Sequence, residues 1–84
     1  MEKIKILAFY QFTDIENPPI LRATLHKVCR SRKILGSILI APEGINGTVA
    51  GSDNDVDSLF KLIKSFPGCQ FIENKYSFAK INDK

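Results

Sequence analysis

The sequence predicts a small α+β domain in which strands and helices follow the order β-α-β-β-α-β. Two segments carry apolar residues at the spacing of an amphipathic helix, and four shorter segments have the alternation or the β-branched run of a strand. The chain has 84 residues, of which 44% are hydrophobic and 25% are charged. This length allows one domain, and this composition is that of a globular protein rather than a disordered or collagen-like chain.

Residues 3–12 predict the first strand, because two sets of side chains alternate along them. One set is entirely apolar, and we expect it to face the core; the other is mixed, which is typical of a partly solvated face. The apolar set is Ile4, Ile6, Ala8, Tyr10 and Phe12, and the mixed set is Lys3, Lys5, Leu7, Phe9 and Gln11.

A loop over residues 13–19 leads into the first predicted helix. Asn17 can cap this helix, and the two prolines that follow fit its first turn because a missing N–H is tolerated there. The helix runs to about Lys33. Its apolar stripe recurs at i, i+4, i+7 and i+8 and consists of Leu21, Leu25, Val28 and Cys29.

A hairpin is predicted in the middle of the chain. Gly36 ends the connection to a short β-branched strand at residues 37–41. Residues 42–47 are predicted as the turn, because Asn46-Gly47 is a strong tight-turn signal. Residues 48–50 continue as the third strand, which Gly51 closes.

The second helix has a clear start and stop. Ser52, with Asp55 three residues later, predicts its N-cap, and Pro67-Gly68 ends it. Its apolar stripe consists of Val56, Leu59, Phe60, Ile63 and Phe66. Residues 69–75 predict the last strand, and residues 76–84 a tail.

This order predicts the ferredoxin-like fold, a four-stranded antiparallel sheet with two helices on one face. We assign residues 1–76 to the domain and residues 77–84 to the tail. Because the fold hosts many functions, the function has to be argued from particular residues.

Basic residues concentrate on the first helix of a chain whose net charge is +3. Four of them, at i, i+4, i+8 and i+11, indicate one face of the helix: Arg22, His26, Arg30 and Lys33. Lys27 and Arg32 add to this face. Such a face suits the phosphates of a nucleic acid, although a solvated helix surface gives the same pattern. We call this set the basic stripe: Arg22, His26, Lys27, Arg30, Arg32 and Lys33.

The second candidate site is the glycine-rich hairpin segment. Its residues are Glu43, Gly44, Ile45, Asn46, Gly47 and Thr48. Two glycines in one turn can aim backbone N–H groups outward and form an anion-binding nest. Alternatively, they can be required only by the backbone geometry of a hairpin. Glu43 argues against a phosphate nest because it would repel the anion.

Several classes of function lack support in the sequence. No apolar run reaches the ~18 residues of a membrane span. No P-loop, dinucleotide fingerprint or Cys-x-x-Cys pair is present, so we expect no metal and no cofactor. Cys29 and Cys69 are expected to be free thiols in a reducing cytoplasm.

Two functions known for this fold also have little support in this sequence. The first strand carries Phe9, Tyr10 and Phe12, which could stack on RNA bases, but the aromatic pattern of an RNA-recognition motif is missing from the third strand. Small acylphosphatases use an arginine in a glycine-rich loop after the first strand. Here that loop, residues 13–17, is acidic and contains neither residue type.

Four segments together resemble the N-terminal domain of the bacterial tRNA uridine hydroxylase family, the rhodanese-domain proteins that hydroxylate a wobble uridine. They are Phe9-Tyr10-Gln11-Phe12 in the first strand, residues 21–30 in the first helix, residues 38–51 and residues 76–81. The most specific part is Glu-Gly-Ile-Asn-Gly-Thr at residues 43–48. The resemblance therefore extends over most of the chain.

The resemblance implies a noncatalytic module of a bacterial, cytoplasmic tRNA-modifying oxidoreductase. In that family the catalytic cysteine lies in a rhodanese-like domain that follows this one, so neither Cys29 nor Cys69 receives a catalytic role. We expect the module to assist tRNA binding through the basic stripe and to pack on the rhodanese-like domain, with residues 43–48 in docking. The alternatives are a purely structural interdomain or dimerisation module, and a small acylphosphatase-type enzyme.

Overall fold

The computed structural model describes residues 3–80 and contains the predicted order of elements. The elements are β1 (Lys3–Phe12), α1 (Pro18–Ser31), β2 (Leu35–Ala41), β3 (Gly44–Gly51), α2 (Asp53–Lys64) and β4 (Glu73–Lys80). The four strands form one antiparallel sheet in the order β2-β3-β1-β4. This is the predicted ferredoxin-like arrangement, with β1 and β3 at its centre.

The core lies between the sheet and the two helices. Leu25 from α1 and Val56, Leu59 and Ile63 from α2 meet one face of the central strands. The sheet contributes Leu7, Phe9, Ile40, Ile45 and Val49 to the same cluster. Burial of each such side chain contributes about 1.5–3 kcal/mol, so the helices are held mainly by these apolar stripes.

The two faces of β1 are the reverse of those predicted. Leu7 and Phe9, from the mixed set, are buried beneath the helices and are 1% and 3% exposed. Tyr10 and Phe12, from the apolar set, lie on the open face and are 50% and 80% exposed. Both sets are apolar enough to form a core face, and the period of two gives the alternation but does not tell which set meets the helices.

The hairpin turn is shorter than predicted. Only Pro42 and Glu43 form the turn, and Asn46-Gly47 lies within β3, whose register runs from Gly44 opposite Ala41 to Ala50 opposite Leu35. Instead, the absence of a side chain at Gly47 lets the neighbouring strand and the Phe9 ring pack closely against it. A Cβ there would lie 2.7 Å from the Ser37 carbonyl oxygen and 2.9 Å from Cζ of Phe9.

Other boundaries also differ from the predictions. β2 begins at Leu35, and Gly36 lies inside it with φ 131°. α1 ends at Ser31, and Lys33 adopts φ 57°, which terminates the helical path before the predicted end. Asn17 is the N-cap of α1, but its side chain makes no capping hydrogen bond.

The last strand lies later in the chain than predicted. β4 is Glu73–Lys80 and pairs with β1 over its whole length, from Glu73 opposite Tyr10 to Lys80 opposite Lys3. Residues 77–80, expected in the tail, therefore belong to the sheet. The remainder of the predicted tail, residues 81–84, lies outside the described residues.

The predicted start of α2 is confirmed. The Ser52 hydroxyl accepts a hydrogen bond from the Asp55 backbone N–H at 3.2 Å. Asp53 and Asp55 lie in the first turn, and Lys61 and Lys64 in the last, so both ends complement the helix dipole.

Candidate nucleic-acid interface

The basic stripe lies mainly along the solvent side of α1. Leu25 points into the core, and Leu21, Val28 and Cys29 pack against it as partly buried residues. Arg22, His26, Lys27 and Arg30 are exposed because they occupy the remaining helical positions. From Arg22 to Arg30 the stripe extends about 12 Å, at 1.5 Å per residue.

The C-terminal end of the stripe is tied to the second helix. Nη1 of Arg32 lies 2.9 Å from Oδ1 of Asp55 in α2. The Ser52 hydroxyl, and then the Arg32 guanidinium, hold the pKa of the Asp55 carboxyl below its ordinary value. Arg32 therefore has a structural partner, which leaves part of its guanidinium for other contacts.

The other members of the stripe have no acidic partner within the described part of the chain. The ion pairs there join Lys5 to Asp53 and Asp57, and Arg32 to Asp55. The charges of Arg22, Lys27, Arg30 and Lys33 are therefore not neutralised by a neighbouring carboxylate. An anionic partner can approach this face without displacing an internal ion pair.

A groove of about 760 Å³ runs between α1 and β2. Arg22, His26 and Arg30 line its helical wall. Its apolar lining includes Leu25, Cys29, Ile38, Ile40 and Val49. The groove lies beside the outer strand of the sheet, and it could not be predicted from the amino-acid pattern because it depends on the spacing of α1 from β2.

Residues 43–48 do not form an anion-binding turn. Glu43 lies in the turn, Ile45 is buried in the core, and Asn46 and Thr48 are exposed on the open face. The turn carbonyls of Pro42 and Glu43 accept hydrogen bonds from the Ile15 and Thr13 N–H groups at 3.0 and 2.9 Å. The segment therefore fixes the hairpin against the β1–α1 loop.

The loop after β1 is also unsuited to an anion. Asp14 and Glu43 line the same shallow hollow at the end of β1. Two carboxylates at one opening repel a phosphate. The geometry gives no support to an acylphosphatase-type site there.

The open face of the sheet contains a hollow of about 680 Å³. Tyr10, Leu39, Asn46, Thr48 and Lys75 are among its lining residues. Tyr10 also makes an edge-to-face contact with Phe12, with 6.0 Å between ring centroids. Phe9, Tyr10 and Phe12 were considered together as aromatics for this face, but only Tyr10 and Phe12 lie on it, because Phe9 is buried beneath the helices.

The thiols show no sign of a reactive site. Cys29 is half-buried and Cys69 is buried, and both are free. Burial raises the pKa of each thiol, which favours the protonated and less nucleophilic form. Within residues 3–80, no three or more metal-ligating side chains cluster, and no helix is long and apolar enough to cross a membrane.

Comparison with known families gives a match over nearly the whole chain. The family model described as the UPF0176 acylphosphatase like domain matches residues 4–83. The chain belongs to this family. The match includes every described strand and helix, apart from the first residue of β1.

Curated proteins similar to this member of the family are named tRNA uridine(34) hydroxylase. The relative from Gluconobacter oxydans is 44% identical over 93% of this chain and 25% of its own length. The relative from Bartonella quintana is 42% identical over 94% of this chain and 26% of its own. The chain thus spans about a quarter of the length of these relatives and corresponds to their N-terminal domain.

Solved structures similar to this family member share its fold. A bacterial light-regulated adenylyl cyclase matches with a TM-score of 0.71 and 18% identity, over 98% of this chain and 24% of that one. The BlrP1 BLUF structure matches with a TM-score of 0.67 and 18% identity, over 96% of this chain and 57% of that one. At this identity the likeness extends to the fold alone.

Proposed function

We propose that this chain is the noncatalytic N-terminal module of a cytoplasmic tRNA uridine hydroxylase, which forms 5-hydroxyuridine at the wobble position. The module assists tRNA binding through the basic stripe and packs on a rhodanese-like catalytic domain of the same polypeptide. The exposed, unneutralised stripe on α1 is the observation that carries the tRNA-binding part of the proposal.

The stripe supports contact with phosphates rather than with bases. Arginine and lysine side chains neutralise phosphates and release counterions, which gives affinity without sequence preference. Most of these side chains project from one side of α1, as a groove-binding or backbone-tracking surface requires. The selection of a tRNA sequence and the hydroxylation of the uridine then belong to other parts of the enzyme.

Backbone amide shifts of the 84-residue chain, measured during titration with unmodified tRNA, test this function. We expect the shifts to concentrate on residues 22–33 and to shrink as salt is raised. In a parallel titration, the variant Lys61→Glu is the control and should keep the shifts on residues 22–33. Lys61 suits this purpose because it is an exposed lysine on α2 with no ion pair among residues 3–80. Absence of shifts on α1 at low salt would exclude the tRNA-binding role.

A purely structural interdomain or dimerisation module is the second candidate, and the open sheet face favours it. That face exposes Tyr10, Phe12, Leu35 and Leu39, and apolar surfaces of this kind commonly mark protein contacts. This function predicts association that is insensitive to salt and independent of the basic stripe. The two candidates differ in the role of the basic stripe, which contacts tRNA in the first and makes no RNA contact in the second.

A further inference from the structure

β2 is an outer strand without the usual protection of a sheet edge. Natural edge strands carry charges, prolines or bulges that prevent pairing with another strand. β2 has the sequence Leu-Gly-Ser-Ile-Leu-Ile-Ala, without charge or proline, and its register with β3 is continuous from Leu35 to Ala41. The opposite edge strand, β4, carries Glu73 and Lys75. The two edges therefore differ in their capacity to accept a further strand.

The surroundings of β2 indicate which side chains such a strand would carry. On the helix side, its neighbours are the α1–β2 groove and the wall of that groove formed by Arg22, His26 and Arg30, in which the two arginines carry positive charge. On the open side, its own Leu35 and Leu39 are 74% and 67% exposed. Because strand side chains alternate between faces, an added strand beside β2 would place one set of side chains near the arginines of α1 and the other set near Leu35 and Leu39.

We propose that β2 pairs with an additional, acidic β-strand supplied by the polypeptide beyond this domain. Its carboxylates face Arg22 and Arg30 on the helix side, and its alternate apolar side chains cover Leu35 and Leu39 on the open side. The curated relatives are about four times as long as the matched region, since this region is 25% of the Gluconobacter oxydans protein. In relatives of this length, ample chain lies outside the matched region to supply a strand.

Charge argues against a second copy of this chain as the occupant. Two-fold pairing of β2 with its own copy would bring the two α1 walls side by side. Arg22 and Arg30 of each copy would then face like charges, which is unfavourable across an interface. An acidic strand neutralises the same wall while its backbone pairs with β2.

The inference rests on the part of the proposed function that makes this chain a module of a longer polypeptide, but not on the binding of tRNA, because the unprotected edge is a property of β2. It does have a consequence for that function. A strand that neutralises Arg22 and Arg30 competes with phosphates for these two members of the basic stripe. Lys27, Arg32 and Lys33 remain on the parts of the stripe that do not line the groove.

Two synthetic peptides matched in length to β2 test the proposal on the 84-residue chain. In one, valine alternates with glutamate; in the other, valine alternates with lysine. We expect the glutamate peptide to shift the backbone amides of residues 35–41 and to slow hydrogen exchange there by about tenfold or more. We expect the lysine peptide to do neither.

Two variants make the result specific. Arg22→Glu combined with Arg30→Glu is expected to reverse the preference, so that the lysine peptide binds and the glutamate peptide does not. Leu39→Lys, at a position 67% exposed, gives the edge a charge of the protective kind and is expected to weaken binding of the glutamate peptide. Lys61→Glu on α2 is the control and should leave the preference unchanged.

Three results would overturn the proposal. In the first, neither peptide perturbs residues 35–41. In the second, the chain without peptide forms a concentration-dependent dimer through β2, which identifies a second copy as the occupant. In the third, single-stranded RNA protects the β2 amides as strongly as the glutamate peptide does, which assigns the groove to nucleic acid.

Discussion

Nζ of Lys5 in β1 lies 2.6 Å from Oδ1 of Asp57 in α2. The lysine side chain is only 12% exposed, reaches Asp53 at 3.4 Å and lies 4.5 Å from the ring centroid of Tyr76 in β4. One cation thus joins the N-terminal half of α2 to two strands. This contact explains why a charged residue occupies the helix-facing side of a central strand.

We predict that Lys5→Met lowers the free energy of unfolding by roughly 1 kcal/mol, because it removes an ion pair to exposed carboxylates and a cation–π contact. Urea unfolding at neutral pH measures the change. Lys61→Met, on the exposed side of α2, is the control and should change stability by less than about 0.5 kcal/mol. Equal effects of the two variants would show that the Lys5 contacts contribute nothing to stability.

The same contact predicts an alkaline loss of stability. The hydrogen bond from Lys5 to Asp57 raises the pKa of the ammonium above its ordinary value of 10.5. A raised lysine pKa stabilises the fold below the unfolded pKa, and the contribution disappears as pH rises through the folded one. Above about pH 10.5 the urea midpoints of wild type and Lys5→Met should therefore converge; a constant difference would contradict this linkage.

Asp55 predicts the opposite dependence in acid. Its pKa is lowered from 3.8 by Ser52 and Arg32, so its contribution is present above that pH and is lost as pH falls through the folded value. Asp55→Asn should therefore be less stable than wild type at neutral pH, and the difference should shrink in acid. Urea midpoints across the acid range measure this, with Asp14→Asn as the exposed control.

Gly47 predicts a packing limit at the centre of the sheet. Gly47→Ala should lower the free energy of unfolding by about 1–3 kcal/mol, because the new methyl group meets the Ser37 carbonyl and the Phe9 ring. Gly51→Ala is the matched control, since its Cβ would lie 3.3 Å from Cγ1 of Ile34, a side chain that can shift. A similar loss for both variants would point to backbone entropy rather than contact.

Two phenylalanines of β1 test which face of the strand is buried. Phe9→Ala should lower the free energy of unfolding by about 3–5 kcal/mol, whereas Phe12→Ala should change it by less than about 0.5 kcal/mol. The residues are 3% and 80% exposed. Urea unfolding of both variants measures the difference. A larger loss of stability for Phe12→Ala would show that the face predicted from the sequence is the buried one.

The sequence predicts local features better than long-range ones. The start of α2 was predictable because Ser52 and Asp55 form a capping pattern within four residues. The position of β4 was not, because residues 77–80 are strand only through pairing with β1. The shared face of Arg22, His26 and Arg30 was predictable from helical spacing, whereas Lys33, expected on the same face, lies beyond the end of α1. The partner of Arg32 was not, since Asp55 is 23 residues away.

The salt dependence of tRNA affinity tests the central claim most directly. For wild type, the logarithm of the binding constant should fall with the logarithm of salt concentration, by ~0.7–0.9 per phosphate contacted. In Arg22→Glu combined with Arg30→Glu we expect weaker binding and a slope smaller by about 1.4–1.8, since two phosphate contacts are removed. Lys61→Glu should keep the wild-type slope. If the double variant also keeps it, α1 does not contact tRNA, and the module is structural.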